Sequence, residues 1–368
     1  MSKFIRSTLI LFVTAGITAC ASAGTATLPD DGGAGSAGQT VSTSERWPIR
    51  TREHLDTWLH GYAMIQDDTS LVPLFKRGYK TEMRAMRTRA SVSTQLDANM
   101  AALRARFVIN PALGNAHFLP LQFASPESMR QAIGAFLEAD GEPRRATSQE
   151  GANAIALLAR YFPTGPDRDW LRLFRQSLDE ESTRFYHDYW IREQANRAPV
   201  MRAVDALWQQ HRPALQTYMS NSQQGGGTVF LSLPLNGEGR TMAAGRNNTL
   251  TAVNFPAREA DAADAIYVIV HELMFAAANI AVTDNITPTE QREGTGDRYV
   301  GAAAVRGGLL LLQKTIPSLA DGYARYYLRA ANRSVGTNPQ TTLASVYPLP
   351  EAIRTALARQ LDVVLGGI

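Results

Sequence analysis

A chain of 368 residues, 45% hydrophobic and 19% charged, has enough apolar material to bury one or two cores unaided. Setting aside residues 1–19 with Lys3 and Arg6 leaves 35 of the 37 basic residues against 34 acids, a near balance that excludes a polyanionic partner such as nucleic acid. The single cysteine, Cys20, excludes a disulfide framework.

At the N-terminus, Lys3 and Arg6 precede an apolar stretch from Leu9 to Val13 and then small residues. That is the pattern of a secretory signal, too short to remain as a membrane-spanning helix. Ile17-Thr18-Ala19-Cys20 resembles the lipobox of bacterial lipoproteins. The resemblance implies removal of residues 1–19, acylation of the Cys20 thiol and a lipid bilayer as partner, outside the cytoplasm. Acyl chains contribute roughly 0.8 kcal/mol per buried CH₂, and stable anchoring needs more than one chain. Ala21 lacks the Asp that resembles an inner-membrane retention signal, which favours the outer membrane if the envelope is diderm. Residues 20–46 hold almost no large apolar side chains, so they are expected to form a flexible lipidated tether before a folded part that begins near Trp47.

From 47 to 222 the periodicity predicts helices. Leu55, Trp58, Leu59 and Tyr62 share one face, as do Met83 with Met86 and Met100 with Leu103. Ser125-Pro126 reads as an N-cap with Pro at the first helical position. Pro163-Thr164-Gly165-Pro166 breaks the chain, Asp167 is expected to cap the next helix, and Pro199 to restart it. Arg84, Arg87 and Arg89 with Lys80 read as a solvated basic face, and Glu180 with Glu181 as surface charge. The run Tyr186-His187-Asp188-Tyr189-Trp190 either lines a cleft or wraps a helix with Tyr189 in the core.

The segment 223–368 begins with a change of character. Thr228 to Leu233 and Thr249 to Phe255 are strand-like, with the turn signal Asn236-Gly237 between them, so 225–256 is expected to form a small sheet or hairpin. An apolar run from Ala265 to Ala281, a helix or helix pair over 288–331, and a last helix carrying Ile353, Leu357, Leu361 and Leu365 complete the chain. The fold class is α+β with helix predominant.

Tyr267-Val268-Ile269-Val270-His271-Glu272-Leu273-Met274-Phe275 places His-Glu on an apolar helix behind the strands. This resembles the active-site helix of zincin metallopeptidases, in which H-E-x-x-H presents two imidazoles at i and i+4 to Zn²⁺ while the Glu acts as general base on the bound water. The resemblance implies His271 as a zinc ligand, Glu272 as the base, and Glu290 or Glu293 as a substitute carboxylate ligand of the gluzincin type. Phe275 stands where the second His belongs, and phenylalanine cannot ligate zinc. Without a metal, His271 reads as a core or cap histidine, Glu272 as a solvated acid, and Thr287-Pro288-Thr289-Glu290 as a capping box. Two functions remain open: an anchored lipoprotein with a degenerate zincin-like fold whose catalysis is weak or lost, and a non-catalytic envelope module that binds a peptide or an envelope protein.

Overall fold

The computed structural model describes residues 47–66, 73–243 and 248–366, so Cys20, the lipobox and the expected tether lie outside the described residues. The described chain is α+β and helix-predominant, with one small mixed sheet.

Strand β1 (Ile49–Thr51) leads into α1 (Glu53–Ile65), whose Leu55, Trp58, Leu59 and Tyr62 are buried at the expected helical spacing. Helices α2 (Tyr79–Arg89), α3 (Gln95–Ile109), α4 (Pro126–Glu138) and α5 (Gln149–Tyr161) follow. Ser125 caps α4 as expected, its hydroxyl accepting the Ser128 N–H at 3.2 Å. In α6 (Gly165–Glu181) the cap is Thr164 rather than Asp167. Asp167 sits at the third helical position, where its carboxylate accepts the Thr164 N–H at 3.3 Å and closes a reciprocal capping box.

One π-helical turn, Ser182–Tyr186, carries α6 directly into α7 (His187–Asn221). Pro199 therefore does not restart a helix; it lies inside α7 together with Pro213. A proline inside a helix normally costs about 3 kcal/mol. Here Val200, Val204, Trp208, Leu215 and Tyr218 bury the same helix against the core, which offsets that loss.

The sheet contains β2 (Gly227–Ser232), β3 (Arg240–Ala243) and β4 (Thr249–Asn254) besides β1, in the order β1-β2-β4-β3. The small sheet expected over 225–256 forms, but its two expected strands do not make a hairpin with each other, because β2 and β4 pair in parallel from Gly227↔Thr249 to Ser232↔Asn254. Only β3 runs antiparallel, along the free side of β4. Asn236-Gly237 makes no hairpin because its backbone is held elsewhere: the two N–H groups donate to Leu74 and Pro73, and the two carbonyls accept from Tyr326 and Tyr327.

Helix α8 (Ala263–Thr283) is apolar on all sides and buried without interruption from Ala265 to Met274. It is long and apolar enough to cross a membrane, yet 72% of its most apolar window is buried inside the protein, as suits a central core helix. Around it lie α9 (Pro288–Arg292), α10 (Thr295–Thr315), α11 (Pro317–Ala330), α12 (Pro339–Val346) and α13 (Glu351–Gly366). Helix α10 comes closest to α8. One apolar cluster runs from Trp47 to Leu361, so the segments 47–222 and 223–368 share a core, and β1 ties the first into the sheet of the second.

Candidate functional site

Behind the sheet, α8 carries His271 and Glu272 side by side, 2% and 4% exposed. Glu272 is therefore not a solvated acid. Its Oε1 lies 2.9 Å from His271 Nδ1 and accepts the backbone N–H of Gly239 at 3.1 Å. A carboxylate only accepts, so His271 carries its proton on Nδ1. The imidazole stacks on Tyr327 at 5.5 Å, and its Nε2 is buried without a hydrogen-bond partner among the described residues. Glycine is required at position 239: a Cβ there would stand 2.1 Å from the Ala252 carbonyl and 3.2 Å from Glu272 Cγ.

Glu272 forms the floor of a cleft of about 620 Å³ between the C-terminal end of α7, the edge strand β3 and α8. Gln224, Arg240, Thr241, Thr249 and Phe275 line it. The Arg240 guanidinium lies over two rings, 5.8 Å from the centre of Phe275 and 5.5 Å from that of Phe118. Gln224 is fastened by its amide N–H groups to the Leu273 carbonyl at 3.2 Å and the Ser222 hydroxyl at 3.1 Å. Its Oε1 is buried and unpartnered among the described residues.

This donor set does not fit the zinc centre that the zincin resemblance implies. Of the four residues that the resemblance names, only His271 offers an unpartnered buried nitrogen, its Nε2. Glu272 is held by His271 and Gly239, and Phe275 at i+4 packs beneath a cation. Glu290 caps α9, accepting the Thr287 N–H at 2.8 Å and its hydroxyl at 2.9 Å, which also holds its carboxyl below the usual range. Glu293 is an exposed residue that ends α9. No group of three or more His, Cys, Asp or Glu able to hold a metal occurs among the described residues.

A second His–Glu pair lies in the helical half, where no motif announces it. His60 of α1 and Glu181 of α6 are both fully buried, with Nε2 to Oε1 at 3.0 Å and His60 Nδ1 to the Tyr79 hydroxyl at 3.0 Å. Arg87 donates to both Glu181 oxygens at 3.1 and 3.0 Å and reaches Asp97 at 2.8 Å, and the Thr94 hydroxyl also donates to Glu181. These contacts overturn the expectations of a solvated Arg87 and a surface Glu181. Two long side chains leave water there because each meets its opposite charge. Burial lowers the His60 pKa. The partners of Glu181 outweigh its burial and hold its carboxyl below the usual range.

Nearby, Asp56 accepts from Trp190 Nε1 at 3.0 Å and the Leu233 N–H at 3.3 Å, and burial pushes its carboxyl up to about 7. Lys76 donates to the Phe255 carbonyl at 2.9 Å, and burial brings its amine down to about 7. From the aromatic run, Tyr189 is in the core and His187 pairs with Glu53 at 2.7 Å, beside a groove of about 400 Å³. Both readings of that run thus hold in part.

The cleft residues Gln224, Gly239 and Arg240 escaped the sequence reading. A weak signal existed only for Gly239, which follows a turn dipeptide and precedes the β-branched Thr241. In comparisons with known proteins, the chain matches no family model, no curated protein and no solved structure.

Proposed function

We propose that this chain is an extracytoplasmic lipoprotein, anchored through acylated Cys20, that uses a degenerate zincin-like cleft to bind an extended peptide without cleaving it. The observation that carries the reading is the lack, among the described residues, of a second ligand beside His271: Phe275 stands at i+4 under Arg240, and Glu272 Oε1 is already bonded by His271 Nδ1 and the Gly239 N–H. A zincin base works on a metal-held water, and these residues do not assemble the ligands for that metal.

What supports peptide as the ligand is the edge strand. Among the described residues β3 pairs with β4 alone, so its other side offers backbone groups to a further strand beside the cleft. The test uses the full-length protein in detergent with fluorescent peptide pools, read by anisotropy and by mass spectrometry. The expected result is saturable binding with intact peptides, unaltered by zinc or by a chelator. Chelator-sensitive cleavage would overturn the reading. For the anchor, a palmitate analogue should label the wild type and not Cys20→Ala.

A second reading, an envelope assembly module that presents its helical half to a partner, is favoured by the groove beside His187, floored by Trp58, Met129, Ile133 and Leu178. Crosslinking in cells separates the two: partners attached through this groove, with no peptide in the β3 cleft, would support the second.

A further inference from the structure

We propose that the cleft selects a peptide by its free C-terminal carboxylate, bound by Arg240, while Gln224 Oε1 accepts a backbone N–H from the same peptide. This rests on the peptide-binding reading and adds which end of the peptide is recognised.

The charges of the cleft point to the carboxylate. Ser220, Ser222, Gln223, Thr241 and Thr249 are neutral, and the one acid among the described lining residues, Glu272, is 4% exposed, bonded by His271 and Gly239 and forms no ion pair with Arg240. Arg240 is exposed and makes no hydrogen bond or ion pair with a described residue. It is the one cation among the described lining residues. The guanidinium lies over the Phe118 and Phe275 rings, and its N–H edge has no partner among the described residues. That edge matches a carboxylate with two parallel hydrogen bonds, which an ammonium does not reproduce.

Gln224 supplies the second, independent observation. Its residue is only 8% exposed, and its Oε1 has no donor although the amide nitrogen is fully engaged. An unpartnered buried acceptor costs about 1–3 kcal/mol, and a ligand that brings an N–H removes that cost. A bare inorganic anion brings a charge without an N–H. A peptide terminus brings both on one short segment, and the free side of β3 gives the segment before it a strand to pair with.

The experiment titrates three labelled peptides of one sequence against the full-length protein: a free acid, a C-terminal amide, and an amide with an internal Asp. The free acid should bind about tenfold or more tightly than the amide, the loss expected for a charge-assisted contact. Arg240→Gln should bring both to the amide's affinity, with at most a small fall in denaturation midpoint from the lost contacts with Phe118 and Phe275. Gln224→Met should weaken both peptides alike. Equal binding of acid and amide by the wild type overturns this inference and leaves the peptide-binding reading standing. Free-acid affinity in the internal-Asp amide overturns the choice of the C-terminus, and binding of none of the three overturns the peptide reading itself.

Discussion

The molecule holds two buried His–Glu pairs, and they are built differently. In His60–Glu181 both ring nitrogens are bonded and both carboxylate oxygens accept, from Arg87, Thr94 and His60. In His271–Glu272 one nitrogen is bonded and the other is orphaned, and the carboxylate forms the floor of a cleft. A pair whose nitrogens and oxygens are all engaged fixes a packing arrangement, although the Nε of its neighbour Arg87 has no partner among the described residues, while a half-engaged pair beside an opening leaves capacity for a ligand. The pair found by its sequence motif and the pair found only in the fold thus have opposite expected roles.

The largest effect should come from breaking the closed pair. Glu181→Gln removes the buried one of the two carboxylates that hold Arg87 and leaves it only Asp97 at 2.8 Å, so a loss of about 3 kcal/mol is expected in urea denaturation. Glu272→Gln should cost only about 1 kcal/mol, because one carbonyl oxygen still accepts from Gly239. Equal losses in the two variants would break the contrast. Gly239→Ala comes next: its Cβ must displace the Ala252 carbonyl, which should cost about 1–3 kcal/mol and lower peptide affinity by moving β3.

A pH titration sharpens the contrast within the helical half. Asp56, raised by burial to about 7 from an ordinary 3.8, contributes stability that is fully present below pH 4 and is lost as pH rises toward 7. Lys76, lowered to about 7 from 10.5, contributes stability that is present above 10.5 and is lost as pH falls toward 7. Asp56→Asn should flatten the acidic slope, and Lys76→Met the basic one, in denaturation midpoints followed from pH 4 to 10. The smallest change is expected from His187→Gln, which removes an exposed pair with Glu53 and should cost less than about 1 kcal/mol. That pair raises the His187 pKa, so its contribution is present below pH 6.5 and is lost at higher pH.

Much of the fold was legible because helices are specified locally. The stripe Leu55, Trp58, Leu59 and Tyr62, the Ser125-Pro126 start and the Thr287–Glu290 capping box each act within one or two turns, and each is found in place. Pro199 misled because a proline's local penalty was overridden by the packing of α7, and Asp167 because it joins Thr164, three positions earlier, in a reciprocal capping box whose cap is the threonine. His271 and Glu272 were visible as a dipeptide, but their commitment to each other and to Gly239 was not.

The sequence by itself determined the helical segments, their caps, the two main strand candidates and the near-neutral charge of the chain after residue 19. Tertiary structure alone decided that β2 and β4 are parallel, that β1 and β3 complete the sheet, and that Arg87 and Glu181 are core residues. The physical reason is distance along the chain. Caps and helical faces join residues three or four apart, whereas His60 meets Glu181 across 121 positions and Glu272 meets Gly239 across 33. Pairings of that range are set by how the whole chain closes around its core, and the cleft with Arg240 and Gln224 on its walls exists only once it has closed.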